Sequence, residues 1–481
     1  MFDGPLTLAA DVRRDLPPWN EVVGHIRASR KLRAVDLLAA AVRSGRPVMQ
    51  PRCGVGGHRE MLDLLRTLEA GAEPGMLSVT IDSHTRLKHF ASARRALVES
   101  PDGLNGYPLV AHGWRRGREL DAAVTAPLEV RHGSPDGREL FAVALASGIT
   151  SFEGGGIGYN LPYSRDVPLA ESLAAWREVD AVCGALADDG VLVERELFGT
   201  LTGVLVPPSI SLASTLVEAL LAVEQGVRCV SVAYPQGGEV HQDVAALRAI
   251  GVLAERYLPG VQVFPVLHTF MGVFPDDRSR ADALILHGAL TGRLGGAAKV
   301  ITKTRAEAHG IPSAADNVDG ILTSALACSP LIDFVRLDEE RVAEELAWVV
   351  DEVVDLVEPL LDGGDLAARA CAAFESGALD IPFSASVHAR SAVVPMRDPS
   401  GAIRYRRTGA LPFSTATLAR HTAQLAPRLT PRQTPVDELL ADIYHFAGGD
   451  PTAFRLAADR PGPAFAASAV RGSPPQGESD Q

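Results

Sequence analysis

The sequence predicts an α/β protein built on a (β/α)8 barrel of the TIM type, with an N-terminal helical arm and a C-terminal extension. From residue 46 to about 335, short β-rich runs alternate with longer segments of helical period, the signature of repeated βα units and a parallel sheet. The number of such runs favours a closed barrel over an open sheet. Charged side chains also recur at the C-terminal ends of the runs, the face on which such barrels build their sites.

Residues 1–45 come first, with Val22, Val23 and Ile26, then Leu32, Val35, Leu37 and Leu38, spaced as amphipathic helices. The strand runs follow: PVMQ ending at Gln50, LSVTID (77–82), PLVAHG (108–113), LEVRHG (128–133), TSFEGG (150–155), VLVEREL (191–197), CVSVAY (229–234), VQVFPVLH (261–268) and KVITKT (299–304). A barrel needs eight of these nine, and PLVAHG is the suspect, because its leading proline cannot donate to a ladder. Between them, LASTLVEALLAVEQG and HQDVAALRAIGVLAERYL carry the 3.6-residue period of an outer helical ring. From 336 the pattern changes to one long helix, LDEERVAEELAWVVDEVVDLVEPLL, then Gly/Ala-rich helix and irregular sequence; residues 336–460 are expected to pack on the barrel. The Pro, Gly and Ser content of 461–481 predicts a disordered tail.

Composition excludes several classes of function. The 481 residues are 46% apolar and carry a formal charge of −13, with no basic run or basic-aromatic patch, which argues against nucleic acid. No stretch approaches a membrane span and the N-terminus lacks a signal core. The five cysteines are widely spaced without a Cys-x-x-Cys pair, as expected of reduced thiols in the cytoplasm.

Eight side chains stand at strand ends: Arg52, Arg86, Arg131, His132, Glu153, Glu196, His268 and Lys303. Three arginines gathered on one face repel unless an anion joins them, and guanidinium forks suit carboxylate or phosphate. A glycine-rich phosphate loop near the last strands is absent, which tilts the choice towards a dicarboxylate. The run Glu153-Gly-Gly-Gly-Ile-Gly-Tyr159-Asn-Leu-Pro162-Tyr163 places a carboxylate before a flexible loop and two tyrosines, and fails as a dinucleotide fingerprint because Tyr159 stands at the third glycine. Glu153 and Glu196 beside arginines are expected to titrate low, which suits recognition of an ammonium better than acid catalysis. His268 reads as a hydrogen-bonded core residue and His132 as the better candidate for a functional histidine. No cluster has metal-ligand spacing, so no metal site is expected. Lys303 and Glu307 would share a helix face, as a surface pair or as a hold on a polar group such as a ribose.

With these motifs in view, the sequence resembles the large (epsilon) subunit of adenosylcobalamin-dependent glutamate mutase over residues 45–330 and again in FESGALDIPF and PMRD. The matching strings include QPRCGVG, TIDSHTR, LNGYP, EVRHGSPD, FEGGGIGYNLPY, LVPPSIS, HTFMGVFP and KVITKT. The resemblance implies an α/β barrel capped by a separate small cobalamin-binding subunit whose Asp-x-His-x-x-Gly motif ligates cobalt. In this chain Asp82-Ser83-His84 is followed by Leu87 where that glycine belongs, so the cobalt ligand is expected from the partner. It also implies a homodimer of this chain within a heterotetramer, and a radical interconversion of L-glutamate and (2S,3S)-3-methylaspartate.

Residue by residue, the resemblance places the carboxylate clamp on Arg52, Arg86 and Arg131, the ammonium-binding carboxylate on Glu153, and substrate contacts on Tyr159 and Tyr163. Glu153 and Arg86 are the expected catalytic residues. Cofactor contacts carry over to Gly54, Thr80, Asn105, Pro162, Glu196, Phe198, Met271, Lys303 and Glu307. The sequence departs from the family's pattern at Cys53, Phe152, Gly158, Leu197 and Thr200, positions expected near the cavity. Those departures leave room for another 2-amino dicarboxylate as substrate. A noncatalytic amino-acid-binding homologue is the remaining alternative, against which Lys303 and Glu307 argue.

Overall fold

The structure is a computed structural model that describes residues 3–200, 204–428 and 434–448. Eight parallel strands form one sheet: β1 (Val48–Gln50), β2 (Leu77–Thr80), β3 (Leu128–Arg131), β4 (Ser151–Glu153), β5 (Glu194–Leu197), β6 (Cys229–Pro235), β7 (Gln262–His268) and β8 (Lys299–Ile301). Each strand pairs with its sequence neighbours from β2 to β8, and β8 pairs with β1, so the sheet curls into a (β/α)8 barrel. Between β1 and β2 no ladder forms. That seam is bridged by the Thr80 N–H on the Cys53 carbonyl (2.8 Å) and the Cys53 N–H on the Ser78 hydroxyl (3.2 Å).

The run PLVAHG is not a strand. Leu109–His112 form one helical turn, and the eight remaining runs are the barrel. Most strands are also shorter than the sequence predicts: β3 ends at Arg131, so His132 and Gly133 already belong to the loop.

Side-chain alternation explains the barrel's composition. Along β3, β4 and β5, Glu129 and Arg131, Ser151 and Glu153, and Glu194 and Glu196 share one face, and their mutual contacts place that face inside the barrel. Val130, Phe152 and Arg195 take the other face. Phe152 packs on Phe141 and Trp176, and Arg195 lies 4.8 Å over Trp176 and bonds Asp180 (2.9 Å), all on the surrounding helices. The inside is therefore polar and the outside largely apolar.

Three helices (Ala10–Asp15, Trp19–Ala28 and Ala34–Ser44) precede β1, matching the amphipathic spacing of the N-terminal segment. Past the barrel, helix Glu339–Leu361 buries Val349, Val353, Leu356 and Val357 and lies across helices Pro208–Glu224 and Val240–Tyr257. A segment read as irregular is an antiparallel hairpin, β9 (Val394–Arg397) and β10 (Ile403–Arg407), turned at Gly401 with φ +95°. Gln242 holds β10 by both groups of its side-chain amide, and Arg404 pairs with Glu345 and Asp398. Residues 449–460 and the tail 461–481 lie outside the described residues.

All four lysines are engaged. Lys31 pairs with Asp121, Lys88 with Asp136 and Glu139, Lys299 with three interior glutamates, and Lys303 with Glu307. The cysteines are free thiols, with Cys53, Cys183 and Cys229 buried. Among the described residues no helix is long and apolar enough to cross a membrane.

The long helix is part of the barrel's outer packing. Leu356→Ala, which empties a site only 1% exposed, is expected to cost ~2–5 kcal/mol, read from urea unfolding.

Candidate active site at the C-terminal ends of the strands

Seven ionisable side chains fill the barrel beneath its C-terminal mouth. Arg131 donates to Glu129 (3.0 Å), Glu153 (2.6 Å), Glu196 (3.3 Å) and Gln50 (3.2 Å). Lys299 lies 2.6 Å from Glu196, 3.0 Å from Glu129 and 3.4 Å from Glu194. His268 lies 2.8 Å from Glu196 and packs on Phe198 at 4.2 Å between ring centroids. Burial holds His268 neutral, its pKa lowered to about 3, as fits a hydrogen-bonded core histidine.

Glu153, in register with Glu196 of β5, closes β4. One oxygen takes Arg131 and the other the Tyr159 hydroxyl. Its pKa is raised, because burial outweighs the opposing pull of Arg131. The expectation that both carboxylates titrate low therefore holds for Glu196, kept ionised by Arg131 and Lys299, and fails for Glu153.

The glycine loop after β4 is shaped by close approach. Gly154 has φ +122°, and a Cβ there would strike Tyr159 and Trp176. The loop is then pinned by Glu218 of helix Pro208–Glu224, whose Oε1 accepts the N–H groups of Ile157 and Gly158, both at 2.7 Å. The result fixes Tyr159, whose ring is buried, and Tyr163, which is 42% exposed at the mouth. Glu218 escaped the sequence analysis because it sits inside an apolar helical run and no motif marks it.

Arg52 and Arg86 differ from Arg131. Neither makes an ion pair or side-chain hydrogen bond among the described residues, and the Arg86 Nε is buried without a partner. Arg86 ends a single helical turn, Ser83–Arg86, capped by Asp82 through the Thr85 N–H (2.8 Å) and hydroxyl (2.9 Å). The Ser83 N–H is accepted by Asn105 (2.9 Å). Arg52 faces the site closely enough to act on Glu153, Tyr163 and Lys303 electrostatically.

The other candidate positions surround the mouth. Gly54 abuts the Thr80 carbonyl, and the Thr80 hydroxyl is buried without a partner. Phe198 is buried, with Met271 packed against its cluster. Lys303 donates to Glu307 (2.7 Å), but from the end of β8 to a 3-10 turn, Arg305–Ala308, and not along one helix face. Pro162 is buried in the glycine loop. His132 lies past the end of β3, its ring stacked on Trp176 and edge-on to Tyr159, its Nδ1 accepting the Ser134 N–H (3.0 Å) and its backbone N–H donating to the Tyr159 hydroxyl (3.3 Å), so it backs the tyrosine from outside the barrel.

A profile of the methylaspartate mutase E chain matches residues 29–450. The chain belongs to that family. Similar proteins include the glutamate mutase epsilon subunit of Desulfitobacterium hafniense, 38% identical over 454 residues that cover 91% of this chain and 93% of that one. The protein of the same name from Haloarcula marismortui is 42% identical over 389 residues, covering 79% and 80%. That from Escherichia coli O157:H7 is 38% identical over 407 residues, covering 81% and 83%.

For this member of the methylaspartate mutase E chain family, the residues at the positions of expected departure are all buried and engaged in packing. Phe152 points outward to the helices. Gly158 lies against the Phe198 carbonyl, where a Cβ has no room, Thr200 bonds Ser211 (2.7 Å), and Leu197 is buried. The Cys53 thiol donates to the Ser78 carbonyl (3.1 Å), and burial pushes its pKa up to about 11.

The Glu218 pin carries a pH signature. Its pKa is raised by burial from 4.5 to about 7, so the folded state binds the extra proton and this residue's contribution to stability declines as pH rises through that interval. Urea unfolding at pH 5 and pH 7 should show Glu218→Gln losing less stability over this interval than the wild type.

Proposed function

We propose that this chain is the catalytic subunit of an adenosylcobalamin-dependent glutamate mutase, interconverting L-glutamate and (2S,3S)-3-methylaspartate. The observation that carries the reading is the pair of unengaged guanidinium groups, Arg52 and Arg86, beside a buried Arg131–Glu153–Tyr159 constellation on the strand-end face. Two free forks next to a carboxylate with an exposed tyrosine above it match two carboxylates and one ammonium.

In this reading Arg52 and Arg86 take the substrate carboxylates, and Arg131 adds its charge from below. Glu153 accepts the substrate ammonium, while Tyr159 donates to the Glu153 oxygen that Arg131 does not hold. Arrival of the ammonium favours the ionised form of Glu153 that burial disfavours, so substrate and carboxylate stabilise each other. When the carbon skeleton breaks and rejoins, the arginines hold both fragments in register, which is catalysis by positioning.

The residues of the mouth fit adenosylcobalamin. The unpartnered Thr80 hydroxyl offers a buried hydrogen-bond group, and Lys303 with Glu307 offers a donor and an acceptor for a ribose; Gly54, Asn105, Pro162, Phe198 and Met271 complete the contacts, with Glu196 acting on them from inside the barrel through Arg131 and His268. When bound, the cofactor supplies the organic radical that takes hydrogen from the substrate. The cobalt ligand comes from a small partner subunit carrying Asp-x-His-x-x-Gly, in a cytoplasmic heterotetramer containing two copies of this chain. The arm (1–45), the barrel (46–335) and the extension (336–460) are its structural divisions, the barrel holding the chemistry. The side chains at Cys53, Phe152, Gly158, Leu197 and Thr200 are buried in packing contacts, and another 2-amino dicarboxylate is the alternative substrate that product analysis separates from glutamate.

An anaerobic assay with the cobalamin-binding subunit and adenosylcobalamin, followed by NMR, tests this reading. It should yield 3-methylaspartate only when both chains are present, and no product from L-glutamate would overturn it. Arg86→Lys should lower kcat/KM at least about tenfold, since an ammonium cannot replace a fork that binds two oxygens. Near-normal turnover would remove Arg86 from the clamp.

A further inference from the structure

The floor of the barrel holds more negative charge than its two cations balance. Glu129, Glu194 and Glu196 are fully buried, and their carboxylate oxygens lie within 4.8 Å of one another. With Glu153, in register with Glu196, four carboxylates share Arg131 and Lys299. His268 adds no charge, because it is neutral, and burial holds the Cys229 thiol protonated beside Lys299 and Glu194. Like charges packed this closely in a desolvated interior do not all ionise.

The hydrogen bonds single out the one that keeps a proton. Glu194 accepts the hydroxyls of Ser151 and Ser231 in addition to Lys299. Glu196 has the shortest contact with Lys299 and is also bonded by Arg131 and His268. Glu129 receives no hydroxyl or amide donor, and both of its cations are shared with stronger claimants. The groups facing it are Arg131 on its own strand, Lys299 from β8, and Glu194 and Glu196 from β5, with Gln50 of β1 completing the Arg131 shell.

We propose that Glu129 carries a proton in the working protein and is a positioning residue: while neutral, it leaves the Arg131 guanidinium directed to Glu153 and to an incoming dicarboxylate. Ionised, Glu129 draws Arg131 towards the floor and adds a negative charge beneath the mouth, and both effects repel a dicarboxylate. Burial and the neighbouring Glu196 push its pKa up to about 8, which puts this change on the alkaline side of neutrality. The inference rests on the proposed dicarboxylate site and adds a proton requirement to it.

Glutarate is the probe, because it has both carboxylates but no ammonium to titrate in this range. Its binding to the chain assembled with the cobalamin-binding subunit and hydroxocobalamin, which supports no turnover, is measured by calorimetry from pH 6.5 to 9.5. Wild-type affinity should fall above pH ~8 towards about tenfold per pH unit, the slope of one linked proton. Glu129→Gln, which copies the neutral acid in shape and hydrogen bonding, should give a flat profile. A flat wild-type profile, or a fall that persists in Glu129→Gln, overturns the proposal. If Glu129→Gln does not fold, Glu129→Asp takes its place: its affinity loss should keep the one-proton slope with a shifted midpoint, and an unshifted midpoint overturns the proposal. Failure to bind either glutarate or L-glutamate at any pH would instead strike the dicarboxylate site itself.

Discussion

The fold turns on the burial of Arg131 and Lys299 among four glutamates. Charge inside a protein is expensive to desolvate and is tolerated only where geometry and additional hydrogen bonds return most of the cost. Here β3, β4, β5 and β8 contribute the charges at fixed register, so the network cannot form unless the barrel closes in the right order. Glu129 and Arg131 are two residues apart on β3, and Lys299 reaches them from β8 on the far side of the barrel. A one-residue slip of any strand would send its charged side chains outward to the helices, which couples correct pairing to charge compensation.

That network also makes the mouth asymmetric. Arg131 is bonded to carboxylates of its own chain, whereas Arg52 follows β1, Arg86 ends a helical turn, and neither side chain is engaged among the described residues. The rigid charge lies below and the adaptable charge above. Glu218 extends the logic to the glycine loop: a buried carboxylate outside the barrel fixes two backbone amides, and through them the tyrosine that bonds Glu153. The site is thus braced from the helical layer as well as from the strands.

Much of this was legible in the residues. The rule that parallel strands present their C-terminal ends on one face singled out Arg131, Glu153, Glu196, His268 and Lys303 from 481 positions, and the structure gathers Arg131, Glu153, Glu196 and His268 into one contact network. The same rule overreached with His132, because β3 ends two residues earlier than its sequence pattern implies and leaves His132 behind Tyr159. Glu129, Glu194 and Lys299 were missed since they lie at the middle or start of their strands, where a charge reads as an exposed position of an alternating pattern. Only closure of the barrel turns that face inward. PLVAHG showed the converse limit, for a short apolar run bounded by Pro and Gly carries no period that separates a strand from one turn of helix. The C-terminal hairpin was hidden because its strands contain as many arginines as apolar residues, and their partners, Glu345, Asp398 and Asp442, are supplied by tertiary structure.

The engagement of all four lysines gives the folded chain an unusual chemical surface. Lys299 is inaccessible, Lys303 nearly so, and Lys31 and Lys88 are tied to carboxylates. Its outer positive charge is carried by arginine, which neither acylates nor forms imines under mild conditions. An amine-directed acylating reagent therefore finds few free side-chain targets on the native protein, and modification of Lys299 reports that the barrel itself has opened.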